Sequence, residues 1–132
     1  MILVSRSRDK LEGLAGEIRS GGGEAEVEEC DMSIRQSIVT MAKRVISKYG
    51  VPDLIVNNAG CYYIQQFADK DYDSWERMVS LNIMGYLITI GEFINHMKVN
   101  LGLIEIINRV NMTFDQDRGS GVIVNITSDS ER

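Results

Sequence analysis

The chain has 132 residues, 44% of them hydrophobic and 25% charged, which is the size and balance of one ordinary globular domain. Fourteen Lys and Arg against nineteen Asp and Glu leave a net charge of −5, with no basic stripe, so no nucleic-acid partner is expected. No apolar run approaches the roughly 18 residues of a membrane helix, and residues 1–4 are too short for a secretory leader, so the expected location is the cytoplasm.

Ile2, Leu3 and Val4 form a short apolar run of the size of a buried strand. Leu11, Leu14, Ala15 and Ile18 then recur at the spacing of one helix face, and Ser20 followed by Gly21, Gly22 and Gly23 stops that helix. Residues 25–30 predict a second, partly exposed strand. The acidic residues Glu24, Glu26, Glu28, Glu29 and Asp31 read as its solvated face. Ser33 with Gln36 three residues on has the pattern of a capping box. The stripe Ile38, Met41, Ala42, Val45, Ile46 and Tyr49 marks the next helix, which Gly50 ends and Pro52 keeps from resuming.

Leu54, Ile55 and Val56 predict a third, buried strand running into Asn57, Asn58, Ala59 and Gly60. From Ser74 the helical period returns and predicts one long helix to about Lys98, with Trp75, Met78, Val79, Ile83, Tyr86, Leu87, Ile90 and Ile94 on its apolar face. Between residues 99 and 118, Leu103, Ile106, Ile107, Val110 and Phe114 predict an additional amphipathic helix. Val122, Ile123, Val124 and Ile126 predict a fourth buried strand. Strands alternating with helices in this way imply an α/β fold, a parallel sheet covered by helices on both faces. Cys30 and Cys61 lie in separate segments and His96 is the single histidine, so no Cys/His metal site is expected. His96 itself reads as a helix-surface residue.

In open parallel sheets ligands bind beyond the carboxyl ends of the strands. Small and polar residues follow every predicted strand here: Ser5 to Arg8, then Asp31 to Ser33, then Asn57 to Gly60, then Thr127 to Ser130. Such residues are ordinary in any one turn, but their recurrence at four strand ends points to a shared ligand cleft.

Five ordered segments resemble the short-chain dehydrogenase/reductase family. They are Val4-Ser5-Arg6-Ser7 with Lys10-Leu11, then Cys30-Asp31-Met32-Ser33, then Leu54 through Gly60, then Leu81-Asn82-Ile83-Met84-Gly85, and finally Gly121 through Ser128. The resemblance implies a partial Rossmann-type doubly wound sheet, with residues 1–132 as a single NAD(P)-binding domain. It implies hydride transfer between nicotinamide and a carbonyl or secondary alcohol, with a small-molecule substrate and a homo-oligomer formed through the long helices.

By the same resemblance the cofactor contacts are Ser5, Arg6, Asp31, Met32, Asn58, Ala59 and Gly60. Members that use NAD place an acid where Ser5 stands, to hold the ribose diol. With Ser5 there and Arg6 next, a 2′-phosphate is matched instead, so NADP(H) is expected over NAD(H), with Arg8 and Lys10 as helpers. Asp31 matches the adenine contact, although on residues alone it equally opens the turn before Ser33. Asn58, Ala59 and Gly60 match the backbone beside the cofactor ribose, and Asn57 a side chain that tethers strands. Asn82, of low helix propensity, matches the asparagine that holds a water in the proton relay. Ser128 matches the serine that hydrogen-bonds the reacting oxygen.

The sequence departs from the family pattern in three places. A first strand with a Gly-rich turn and the catalytic Tyr-x-x-x-Lys pair are both absent from residues 1–132. The triplet Gly21 to Gly23 follows a helix and precedes a strand, the reverse of the phosphate-binding context. The connection at 99–118 is longer than the pattern. These departures predict a form truncated at both ends and inactive alone, whose strands 1 and 3 lack the neighbour both should pair with. A non-catalytic polypeptide that binds a partner through residues 99–118 is the alternative reading.

Overall fold

A computed structural model describes residues 1–63, 66–97 and 122–125, with Ile123 the side chain described in the last of these. The elements are β1 (Ile2–Ser5), α1 (Arg8–Ser20), β2 (Glu26–Glu29), α2 (Arg35–Tyr49), β3 (Leu54–Asn57), α3 (Tyr72–Val79), α4 (Gly85–Ile94) and β4 (Val122–Asn125). A short 3-10 turn (Phe67–Asp69) precedes α3, and a π-helical turn (Ser80–Met84) joins α3 to α4.

Both strand pairs are parallel. β1 pairs with β2 from Ile2 opposite Glu26 to Ser5 opposite Glu29. β3 pairs with β4 from Leu54 opposite Val122 to Asn57 opposite Asn125. Side chains alternate between faces along a strand, and β1 divides accordingly. Leu3 packs with Leu11, Ala15, Ala25, Val27 and Ile18 beneath α1. Ile2 and Val4 pack on the opposite side, against the larger core built from α2, α4, Leu81 and Ile123. The expected helices on both faces are therefore present. The anchor of the larger core is Ile38, which is 0% exposed.

Several local readings are corrected. The capping box does not form. Ser33 donates its hydroxyl to Asp31 Oδ1 at 2.6 Å, Gln36 donates to Thr40 Oγ1, and the N-cap position falls on Ile34 without a side-chain bond. A serine two residues after an aspartate closes an Asx-type turn at shorter range than a helix cap, and that turn wins. Glu28 is not on a solvated face. It is 7% exposed, and its Oε2 accepts from Arg44 Nε at 2.9 Å. Glu24, Glu26 and Glu29 are exposed as expected. Leu14 is exposed as well, leaving Leu11 and Ala15 to carry the α1 face.

The single long helix is also corrected. The π turn adds a residue to one turn and shifts the angular phase of everything on either side of it. Val79 and Ile83, expected on the apolar face, are exposed, whereas Leu81 and Phe93 are buried. His96 is exposed in the turn that follows α4. The predicted helix at 99–118 lies outside the described residues, as do Lys98 and Ile126.

The third strand departs most from its apolar sequence. Leu54 is 55% and Val56 50% exposed. Among the described residues β1 and β3 do not pair, so the strands form two two-stranded sheets, β1-β2 and β3-β4. Side chains alternate between the faces of a strand: Ile55 packs on the larger core, and Leu54 and Val56 lie on the opposite face, exposed.

Candidate functional site

The carboxyl ends of β1 and β2 are locked together. Cys30 N–H donates to the Ser5 carbonyl at 3.0 Å, and Ser7 N–H donates to Ser5 Oγ at 3.2 Å, which turns the chain into α1. Arg6 is exposed on this rim. Arg8 lies 3.7 Å from Glu12, and Lys10 is exposed.

Asp31 is held by three hydrogen bonds. Its N–H donates to Ser37 Oγ at 3.0 Å, while its Oδ1 accepts from Ser33 N–H at 2.9 Å and from the Ser33 hydroxyl. Partial burial pushes the carboxyl up. The Ser33 hydroxyl and amide, with the charges of Arg6 and Arg77, outweigh that and hold it below the ordinary carboxylate value. A carboxyl lowered by folding stabilises the fold fully above its unfolded value of about 3.9, and the contribution is lost as pH falls through the folded value. An NMR titration of the Asp31 carboxyl carbon is expected to show a midpoint below about 3.9; a midpoint above it would contradict this balance. The turn-opening role is thus real, and it leaves the carboxylate charged beside Arg6.

Met32 is buried in the larger core, so only its backbone is in position for a ligand at the rim. Its carbonyl touches Gly85: a Cβ built there would stand 2.5 Å from that oxygen. Gly85 therefore seats the start of α4 on the turn after β2. The same helical region holds the segment after β3. Asn82, on the π turn, accepts from Cys61 N–H at 2.9 Å and donates its Nδ2 to the Cys61 carbonyl at 2.8 Å. A Cβ on Gly60 would lie 3.4 Å from Asn82 Oδ1. Ala59 is half-buried, Asn58 and Gly60 are exposed, and Asn57 is buried at the end of β3.

The contacts Asp31 turn, Gly85, Asn82, Cys61 run continuously, so the carboxyl ends of β1, β2 and β3 lie on one edge. Ser5, Arg6, Asp31, the Met32 backbone, Asn58, Ala59, Gly60 and Asn82 share that edge. Ser128, with Thr127 and Ser130, lies outside the described residues. The side chain of Asn82 is occupied as a two-point clamp on the Cys61 backbone. Replacing Asn82 by alanine is expected to cost about 1–2 kcal/mol for two lost hydrogen bonds, and to speed amide exchange at Cys61. Unchanged Cys61 exchange would contradict the clamp.

Ser37 and Arg77 belong to this edge and escaped the sequence reading, and Gly85 stood in a resembling segment without a role. For Gly85 a signal existed, since glycine inside a helix costs about 1 kcal/mol relative to alanine and needs a packing reason. A polar groove of about 470 Å³ adjoins the Asp31 turn, lined by Ser33, Tyr63, Ser74, Ser80, Arg77, Asp73 and Glu76. Among the described residues a Tyr–Lys contact joins Lys48 Nζ to Tyr49 OH at 2.6 Å. It lies beside Glu26 at the amino end of β2, away from the site. Among the described residues no group of His, Cys, Asp and Glu could hold a metal ion, and no helix is long and apolar enough to cross a membrane.

This edge lies at the carboxyl ends of parallel strands, where open α/β folds bind their ligands. The family profile described as short chain dehydrogenase matches residues 1–132, and the chain belongs to that family. An uncharacterized oxidoreductase of Mycobacterium tuberculosis is 35% identical over 74% of this chain and 30% of its own length. One from Staphylococcus epidermidis is 30% identical over 66% of this chain and 36% of its own.

Among solved structures, a metagenomic short-chain oxidoreductase in complex with NADP is similar at a TM-score of 0.78 and 25% identity. The match covers 98% of this chain and 51% of that one. An alcohol dehydrogenase from the archaeon Thermococcus sibiricus, complexed with 5-hydroxy-NADP, is similar at 0.68 and 28% identity, over 74% and 42%. The chain thus spans about a third of the curated relatives and two-fifths to half of these structures.

Proposed function

We propose that this chain carries the adenosine side of an NADP(H) site in a cytoplasmic oxidoreductase acting on a carbonyl or secondary alcohol. The observation that carries the reading is the single edge holding Arg6, the Asp31 turn fixed by Ser33 and the Gly60–Asn82 contact. Arg6 is an exposed cation beside the first turn of α1, whose N-cap Ser7 makes no side-chain cap bond. Helix-start amides and a guanidinium together match a phosphate. Their local positive potential offsets a chain that is net negative.

In this reading Arg6 pairs with the 2′-phosphate, Ser5 faces the ribose, and Arg8 and Lys10 add weaker attraction. Asp31, ionised and fixed by Ser33, accepts from the exocyclic amine of adenine, next to the Met32 backbone. The backbone of Asn58, Ala59 and Gly60 lies along the second ribose, with Asn82 keeping that segment in place through Cys61. Ser128 orients the reacting oxygen. The nicotinamide, when bound, supplies or accepts the hydride. The relatives' printed descriptions as oxidoreductases and the two NADP complexes support this reading. Self-association through α3 and α4 is supported by Val79 at the end of α3 and by Ile83 and Met84 in the π turn that joins the two helices, all exposed.

Calorimetric titration with NADPH and NADH in parallel tests the proposal. Saturable binding of NADPH, tighter than that of NADH, is expected. Equal affinities, or NADH the tighter, would contradict the cofactor assignment.

A further inference from the structure

We infer, on the NADP(H) reading above, that Arg77 is a specificity-determining residue that acts through Asp31. When Arg6 turns to the 2′-phosphate, Arg77 takes over as the counter-ion of the Asp31 carboxylate and so keeps Arg6 free for the cofactor. In this role Arg77 need touch neither the phosphate nor the reacting atoms, and it is a positioning residue.

Two arginines from separate elements serve one carboxylate. Arg6 follows β1, and Asp31 follows β2 on the same rim. Arg77 is on α3, in the wall of the polar groove of about 470 Å³ that Ser33 also lines. Ser33 donates both its amide and its hydroxyl to Asp31 Oδ1, so the groove opens beside that carboxylate. The charges of Arg6 and Arg77 both help to hold the Asp31 carboxyl below its ordinary value. Among the described residues neither arginine is in an ion pair, unlike Arg8, Arg19 and Arg44. Both are exposed, and exposed side chains change rotamer freely, so each can swing to a new partner.

Charge explains why a second cation is needed. A phosphate monoester brings about two negative charges to an edge that already holds the ionised Asp31, and like charges repel. One guanidinium cannot form a close two-point pair with both anions at once. A second arginine removes that conflict. NADH brings no such phosphate, so with NADH Arg6 remains available to Asp31 and Arg77 is dispensable. Asp73 and Glu76 also line the groove. They add negative charge on the α3 side and leave Arg77 as the one cation of the lining among the described residues.

The test is a double-mutant cycle on the whole chain, with Arg77→Ala, Asp31→Asn and both together, read by calorimetry with NADPH and with NADH. Asparagine keeps an oxygen acceptor and removes the charge. Arg77→Ala is expected to weaken NADPH binding about two- to fivefold and to leave NADH nearly unchanged, and Arg77→Lys is expected to restore most of the loss. In the Asp31→Asn background Arg77→Ala is expected to cost nothing further. In the cofactor-free chain Arg77→Ala is expected to raise the NMR midpoint of the Asp31 carboxyl, which loss of an unconnected surface side chain would not move. Equal loss of both cofactors would overturn the inference, as would an unmoved midpoint. An undiminished loss in Asp31→Asn would overturn it too, because Arg77 would then attract the phosphate directly. Failure of the cofactor reading shows separately, as an unmutated chain that binds NADPH no more tightly than NADH, and the inference falls with it.

Discussion

Replacing Arg6 by alanine is expected to weaken NADPH binding about ten- to a hundredfold while leaving NADH nearly unchanged. A hydrogen bond to a charged partner contributes about 1.5–3 kcal/mol, and NADH lacks the phosphate that would receive it. Arg6 is exposed on the rim beside the start of α1 and close enough to Asp31 to lower its carboxyl. Its loss therefore removes a ligand contact without opening the core. Arg6→Glu goes further, placing an anion where a phosphate would be repelled; its NADPH affinity is expected to fall below that of Arg6→Ala. Arg8→Ala is the control. Arg8 is exposed and within 3.7 Å of Glu12, and surface pairs of this kind contribute about 0–1 kcal/mol, so its effect on NADPH is expected to be severalfold at most. Calorimetry of the three variants with both cofactors checks the set. Equal loss of NADPH and NADH in Arg6→Ala would contradict the phosphate role.

Gly85→Ala is expected to destabilise the fold by about 2–3 kcal/mol, from a single added methyl group. The added carbon would stand 2.5 Å from the Met32 carbonyl oxygen, a backbone atom with no rotamer to change. Relief requires α4 to move away from the turn after β2, and α4 carries Phe93 and Ile90 of the core. The same movement would displace Asn82 and slacken its hold on Cys61, so loss of stability and loss of NADPH affinity should travel together. Gly91, in the same helix, meets nothing within 4 Å of an added Cβ. Gly91→Ala should therefore stabilise by about 0.5–1 kcal/mol through helix propensity. Urea unfolding of both variants measures the contrast. If they shift stability in the same direction, the close approach at Gly85 does not govern packing.

The parts of this fold legible in the sequence are those set by periodicity. The α2 stripe emerges almost residue for residue, with Ile38, Met41, Ala42 and Val45 buried, because a helix pressed between a sheet and another helix shows one straight seam. The end of α2 was equally plain, since Gly50 has φ +87°, which glycine adopts without strain. What escaped depends on competition between local options or on distant chain. Ser33 had two roles open to it, and the aspartate two residues earlier was the nearer partner. The π turn has no periodic signature and reveals itself only by displacing Val79 and Ile83 from the seam. Burial of Glu28 requires Arg44, sixteen residues on. Exposure of Leu54 and Val56 depends on what covers their face of β3, which no property of those residues encodes.

The site divides in the same way. Arg6, Asp31, Gly60 and Asn82 were found from motif segments, and the structure brings them to one edge. The contact that unites them, Gly85 against the Met32 carbonyl, is a backbone approach between residues far apart in the chain. The sequence records it only as a glycine tolerated in a helix.

Mapping NADPH onto the chain by amide chemical shifts tests the central claim most directly. Perturbations are expected to concentrate at Arg6, Ser7, Asp31, Met32, Gly60 and Cys61, and to saturate together with a single affinity. Saturation with shifts instead around Glu24, Glu26 and Tyr49 at the opposite end of the strands, or no saturable shifts at all, would contradict a cofactor edge at the carboxyl ends of β1, β2 and β3.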